Sequence, residues 1–226
     1  MTTLRDLLAE RRPLLIVSLP SNSQDFAKAA IEGGADAVKM HCNVTHRVTK
    51  KTYAPWVEVK DTAAALCSSL PGAVGIVPGD TAMASPAELD EMADVGLSFF
   101  DAYIERLPTY ATRSRLLAMY SLGHSARLET ARYLKGIGAQ AVEASTVDAS
   151  EYGSPLSALD LANYREIVEL SGLPVFVPSQ KRISPADCAE LLALGVRGVI
   201  LGAVVTGEEI GGYRETIAAF AKAMGK

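Results

Sequence analysis

The stretch Leu173–Gly207, LPVFVPSQKRISPADCAELLALGVRGVILGAVVTG, constrains the fold of this 226-residue chain more than any other. Leu173–Val177 and Gly198–Leu201 are short Val/Ile-rich runs with little polar alternation, the pattern of parallel strands buried on both faces. Between them Ser184 reads as an N-cap, Pro185 as the first helical residue and Asp187 as a first-turn charge. Gly195 then stops the helix where a left-handed residue costs least. The stretch is a βαβ unit, and such units demand a parallel sheet with right-handed crossovers.

The same alternation runs through the rest of the chain. Strands are predicted over Leu14–Leu19, Ala35–Met40, Gly72–Val77, Leu97–Ala102, Arg115–Tyr120 and Gln140–Ala144. Helices are predicted over Gln24–Glu32 (stopped by Gly33-Gly34), from Ser85-Pro86 to Gly96, over Ser125–Gly136, over Ala158–Leu170 and over Tyr213–Met224. Eight strands, each followed by a helical segment or a long crossover, predict a (β/α)8 TIM barrel, with 1–226 as one domain and Met1–Arg11 as a helix plugging the lower mouth. An open doubly wound sheet normally carries a glycine fingerprint after its first strand, and SLPSNSQDF has no glycine. Gly136–Ala141 matches GxGxxA but follows a helix and precedes a strand, so it reads as a turn.

Composition narrows the function classes. A net charge of −4 argues against a general nucleic-acid binder. Cys42, Cys67 and Cys188 are odd in number and far apart, which fits reduced thiols better than a disulfide framework. The N-terminal apolar run is too short and too late for a signal peptide, and no eighteen-residue apolar stretch could span a membrane. The expectation is a cytoplasmic protein without a membrane partner, with room for a homo-oligomer although no interface is legible.

Active sites of such barrels lie at the C-terminal strand ends, so polar residues there are the candidates. Strand two ends in Lys39-Met40-His41-Cys42-Asn43, where alternation puts Lys39, His41 and Asn43 on one face. A lysine late in an apolar strand must be paired or deprotonated, which makes Lys39 a catalytic candidate or a structural ion pair inside the barrel. Glu143 is an acid within an apolar run and could face Lys39 across the mouth, each favouring the other's charged form. Strand four delivers Asp101, with Glu105 a few residues on, and strand three ends in Pro78-Gly79-Asp80. His41 is a candidate acid or a loop histidine without a role.

Asp80, Asp101 and Glu143 offer oxygen ligands to a hard ion such as Mg2+, though their spacing does not require one and no cofactor is expected. His41, Cys42 and His46 match no zinc spacing, and no GxSxG nucleophile elbow occurs. After strands seven and eight, Ser179-Gln180-Lys181-Arg182 and Gly202-Ala203 read as a phosphate site. Backbone N–H groups of a glycine turn opening a helix would donate to phosphate oxygens, with Lys181 or Arg182 as countercharge. The alternative for Gly202 is a tight turn.

GVRGVILGAVVTG (Gly195–Gly207), LIVSLP (Leu15–Pro20) and GADAVKM (Gly34–Met40) resemble the phosphate-binding TIM-barrel superfamily, which includes ribulose-phosphate 3-epimerases, histidine-pathway isomerases and orotidine-phosphate decarboxylase. N-acetylmannosamine-6-phosphate 2-epimerase looks nearest. The resemblance implies phosphate ligation through the backbone of Gly202 and Ala203. The chain departs from that epimerase at Pro78-Gly79-Asp80, where the epimerase has a lysine, and at Val177–Gln180, where it has an acid. It also lacks the Asp-Lys-Asp array of the decarboxylase.

Three functions remain open. The leading one is isomerisation or epimerisation of a small phosphorylated metabolite by proton transfer beside a carbonyl, with Glu143 as base, Lys39 stabilising the enolate oxygen, and Asp101 or His41 returning the proton. The second is a Schiff-base lyase or aldolase using Lys39 with its pKa lowered by burial. The third is a non-catalytic barrel binding a phosphorylated ligand. Segments 43–53 and 146–157 read as lid loops by their length and polarity.

Overall fold

Local sequence rules shape each βα unit. The computed structural model describes residues 2–226 and shows a (β/α)8 TIM barrel, closed in the order β1 to β8 with all eight neighbouring pairs parallel. The strands are β1 Leu14–Ser18, β2 Ala37–His41, β3 Ala73–Val77, β4 Phe99–Tyr103, β5 Leu117–Ser121, β6 Ala141–Glu143, β7 Val175–Pro178 and β8 Gly198–Leu201. The helices are α1 Leu4–Ala9, α2 Gln24–Glu32, α3 Trp56–Ser69, α4 Pro86–Asp94, α5 Ala131–Leu134, α6 Ala158–Ser171, α7 Asp187–Ala193, α8 Ala203–Thr206 and α9 Tyr213–Ala223. Among the described residues no helix is long and apolar enough to cross a membrane.

Caps set the helix starts. Ser85 and Glu88 form a reciprocal capping box on α4, with Pro86 in its first turn, and Ser157 and Asp160 do the same on α6. β2 and β4 start two residues later than predicted, for one shared reason that also applies just before β6. Ala35, Leu97 and Ala139 each turn their N–H back to a carbonyl five residues earlier, on Ala30, Met92 and Leu134. Each follows a left-handed glycine, Gly34, Gly96 and Gly138, with φ near 100°. These apolar residues close Schellman motifs and pack on the preceding helix before the strand begins.

Two connections depart from expectation. The predicted helix over Ser125–Gly136 is broken into a 3-10 turn at Leu128–Thr130, the short α5, and another 3-10 turn at Lys135–Ile137. Thr130 and Gly136, both poor helix formers, sit at its breaks. Conversely, α3 fills the crossover between β2 and β3, where no helix was predicted, and buries Trp56, Ala63, Leu66 and Cys67 on one face. The Ser184-Pro185 start is also shifted: Ser184 donates to Asp187 at 2.6 and 2.7 Å through a turn, and α7 proper begins at Asp187.

The lower interior is apolar. Leu4 and Leu7 of α1 pack with Leu14, Ile16, Ala37, Phe99, Met119 and Phe176, so α1 plugs the bottom of the barrel; the Met1 end of that prediction lies outside the described residues. The Phe99 ring fills the axis beside Gly75, where an added Cβ would come within 2.2 Å of it. A second apolar layer joins the outward strand faces to the helices. Asp36, at the start of β2, is structural: its carboxylate accepts from the Leu15 N–H and from Arg12, both at 2.7 Å, and pairs with Lys226.

Candidate active site

In a closed eight-stranded barrel, inward side chains from alternate strands share a layer. One such layer from the even strands holds Lys39 of β2, Asp101 of β4, Glu143 of β6 and Ile200 of β8, and all four line a cavity at the C-terminal mouth. Its empty volume is about 840 Å3, open mouth included. Three polar residues far apart in sequence therefore meet by strand parity.

Lys39, Asp101 and Glu143 are 4%, 2% and 6% exposed. The Lys39 ammonium donates to Glu143 Oε2 at 2.7 Å and to Asp101 Oδ2. Ser121 Oγ donates to the other Asp101 oxygen at 2.6 Å, and Ser145 Oγ to the other Glu143 oxygen at 2.5 Å. Every carboxyl oxygen thus has a partner, as burial requires.

The electrostatics split the two acids. Burial pushes the Asp101 carboxyl up to about 8, helped by the neighbouring Glu143 charge and opposed by Lys39. Burial also opposes ionisation of Glu143, but Lys39 and the hydrogen bonds outweigh it and hold that carboxyl below its ordinary range. For Lys39, burial works against the charge and the two carboxyls overcome it, so its pKa lies above the ordinary 10.5. The shared site thus pushes the two acids in opposite directions, Asp101 up and Glu143 down, the separation expected of an acid–base pair. The Schiff-base reading needed Lys39 shifted downward, and the structure shifts it upward because two acids bind the same ammonium.

His41 lies above this layer. Its ring stacks on Tyr53 at 4.6 Å between centroids and meets His46 edge-on at 5.1 Å. Its Nε2 is 3.3 Å from Ser18 Oγ, and its Nδ1 is buried without a partner. Burial, followed by the charges of His46 and Lys39, holds His41 well below its ordinary pKa, so the ring is neutral. Cys42 faces the helical layer and takes no part.

The acids considered for a metal do not converge. Asp101 and Glu143 are occupied by Lys39, while Asp80 at the rim lies 3.3 Å from Arg106. No group of three or more His, Cys, Asp or Glu residues is placed to hold a metal ion among the described residues. Glu105 accepts from Ser125 away from the cavity.

The residues expected around phosphate separate into two sets. Ser179, Gln180, Gly202 and Ala203 line the cavity, and Lys181 does not. Lys181 is buried against the 146–157 loop, where its ammonium donates to Ser154 at 2.8 Å and to Glu151 at 3.2 Å, so it is a structural tie. Arg182 is exposed outside the cavity, and its N–H is bonded to Ser154 O. Gln180 clamps the same loop, donating to the Tyr152 hydroxyl at 2.7 Å and accepting from the Val147 N–H at 3.3 Å. Nor is the Gly202 N–H free, since it donates to Ser179 Oγ at 2.7 Å. The N–H groups of Ala203 and Val204, in the first turn of α8, have no intrahelical acceptor. The tight-turn reading of Gly202 fails as well: its φ of −127° is extended backbone open to any residue.

Sequence reasoning missed Arg47, Tyr103 and Tyr152. All three line the cavity, with the Arg47 guanidinium 4.2 Å from the centre of the Tyr103 ring. Tyr103 was legible as the inward neighbour of Asp101, two residues along β4. Arg47 and Tyr152 come from the loops read as lids, whose conformations periodicity does not encode.

No family model matches the chain, and no curated protein does. Solved structures do. Thiamine phosphate pyrophosphorylase from Pyrococcus furiosus is 20% identical with a TM-score of 0.67 over 96% of this chain and 98% of that one. Phosphoribosyl anthranilate isomerase from Thermus thermophilus is 18% identical, TM-score 0.67, over 94% and 98%. Tryptophan synthase from Mycobacterium tuberculosis is 16% identical, TM-score 0.74, over 96% and 94%. At these identities the likeness establishes the barrel; two of the three are named for phosphorylated compounds.

Proposed function

We propose that this barrel is an enzyme that moves a proton beside a carbonyl in a small phosphorylated metabolite, as an isomerase or epimerase. The observation that carries the reading is Lys39 bridging Asp101 and Glu143 on the cavity floor, where burial raises the Asp101 carboxyl and Lys39 holds the Glu143 carboxyl down. Glu143 takes the proton from carbon and Asp101 returns one. Lys39 stabilises the enolate oxygen that develops between these steps. As the ammonium turns toward that oxygen its hold on Glu143 loosens, and Glu143 becomes a stronger base when it needs to be. His41, buried and neutral, is suited to hydrogen-bonding the substrate rather than to acid catalysis.

The phosphate part of the reading is supported by the sequence resemblance, by the two neighbours named for phosphorylated compounds, and by the Ala203 and Val204 N–H groups at the rim. The test is solvent-deuterium incorporation across a panel of phosphorylated aldoses, ketoses and amino sugars. A compound that gains deuterium with the wild type, and not with Glu143→Gln or Asp101→Asn, supports the assignment. Full exchange by both variants overturns it.

A further inference from the structure

We propose that Arg47 is the residue that grips the anionic end of the ligand, a phosphomonoester dianion, in a cationic vestibule above the reaction cavity. The inference rests on the reading of the ligand as phosphorylated, and it assigns the countercharge that Lys181 and Arg182 do not supply.

Among the described residues, Arg47 and Lys39 are the lysine and arginine side chains lining the cavity, and Lys39 already holds two carboxyls. Arg47 is exposed, and among the described residues no carboxylate lies within ion-pair distance of it. Its guanidinium rests instead over the Tyr103 ring. At an exposed position that is a weak hold, readily exchanged for a charge-assisted, two-pronged bond to phosphate.

The surroundings fit the same ligand. An outer pocket shares Arg47, Val48, Tyr152 and Val204 with the reaction cavity and adds Lys50. Among the described residues no acidic side chain lines this outer pocket, and Asp80 of the adjoining cavity acts on Arg47 only at a distance, without an ion pair. Val204 brings the first turn of α8 to its wall, and Tyr152 brings a phenol.

The segment bearing Arg47 is built to hold it over the mouth. It folds back as a hairpin, with Thr45 opposite Thr52 and the Tyr53 N–H donating to Val44 O at 2.8 Å. The His46 N–H donates to Lys51 O at 2.8 Å, and the Lys51 ammonium reaches Glu208 beyond α8 at 3.0 Å. The hairpin is thus fastened across the β2 and β8 sides of the barrel.

The arrangement defines a polarity for the substrate. Its phosphate sits outward between Arg47 and α8, and its carbonyl points down to Lys39, Asp101 and Glu143. The substrate class is a small monophosphate with its reacting carbon a few bonds from the phosphate, and a long or uncharged molecule loses one of the two contacts.

The test is a 31P NMR titration of inorganic phosphate into the wild type, Arg47→Ala, Arg47→Lys and Lys50→Ala, each checked for an unchanged melting temperature. The expected result is saturable binding that weakens about tenfold or more in Arg47→Ala, with Arg47→Lys intermediate because it keeps the charge and loses the fork. Equal affinity in wild type and both Arg47 variants overturns the role of Arg47 and leaves the phosphate reading standing. No saturable binding to the wild type overturns the proposal and the phosphate reading together, while the deuterium experiment still judges proton transfer on its own.

Discussion

Lys39 and Glu143, 104 residues apart in the chain, join β2 to β6 across the barrel through a 2.7 Å hydrogen bond. Both side chains are buried, and Asp101 shares the same ammonium. Replacing Lys39 with methionine therefore leaves two carboxyls buried without their cation. Breaking a buried ion pair on one side costs about 3–5 kcal/mol, and urea unfolding of Lys39→Met at pH 7 is expected to show a loss of that size. The deficit shrinks toward pH 4, where the orphaned acids take up protons. A variant as stable as the wild type at pH 7 would refute the ion-pair account.

The raised Asp101 pKa has a definite sign in stability and in rate. Its folded value, about 8, lies above its ordinary 3.8, so the native state holds a proton that the unfolded chain has released. This group's contribution to stability is full below about pH 4 and is lost as pH rises toward 8. Proton return from Asp101 falls off above the same point. Asp101→Asn should lower the exchange rate by about 10²–10⁴-fold, the usual worth of a general acid, and remove the alkaline limb from whatever activity remains. A limb that persists in the variant assigns the titration to another group.

His46 predicts the opposite slope on the acid side. Burial, followed by the charge of Lys39, lowers it from 6.5 to about 4. Between those values the unfolded chain binds a proton that the native state refuses, so stability declines as pH falls through this window. His46→Gln is expected to flatten that decline in thermal melts recorded from pH 7 to 4. An unchanged slope would point to the carboxyls alone.

Gly202 separates folding from binding. A Cβ there would meet Ser179 Oγ at 3.8 Å and Ser18 Cβ at 3.9 Å, which is ordinary contact, while projecting into the cavity beside α8. Gly202→Ala should melt within a few degrees of the wild type and bind inorganic phosphate more weakly. Phosphate affinity equal to wild type would place the anion elsewhere.

The barrel was legible because its determinants are local: apolar runs recur in every unit, with serine caps opening α2, α4 and α6 and glycines following most helices. The strand starts were misread where Ala35 and Leu97 are apolar for a different reason, as the closing residues of Schellman motifs. Lys39, Asp101 and Glu143 were each visible as charges at strand ends. Their convergence followed from strand parity, since even strands share a layer. The signs of their pKa shifts did not follow, because these depend on two acids contending for one lysine. Lys181 misled because a cation after strand seven looks the same in sequence whether it faces the ligand or the neighbouring loop. Arg47 lay in a loop without periodicity, and only the hairpin's hydrogen bonds place it over the mouth.

The opposed shifts of Asp101 and Glu143 can be read directly by a carboxyl 13C NMR titration of the ligand-free protein, with the two groups assigned through Asp101→Asn and Glu143→Gln. One buried carboxyl is expected to titrate near pH 8 and to disappear in Asp101→Asn, beside a second that stays ionised down to the acid limit of the fold. Two carboxyls titrating together near pH 4 would contradict this, because Lys39 would then hold two equivalent carboxylates and the site would have no acid to return a proton.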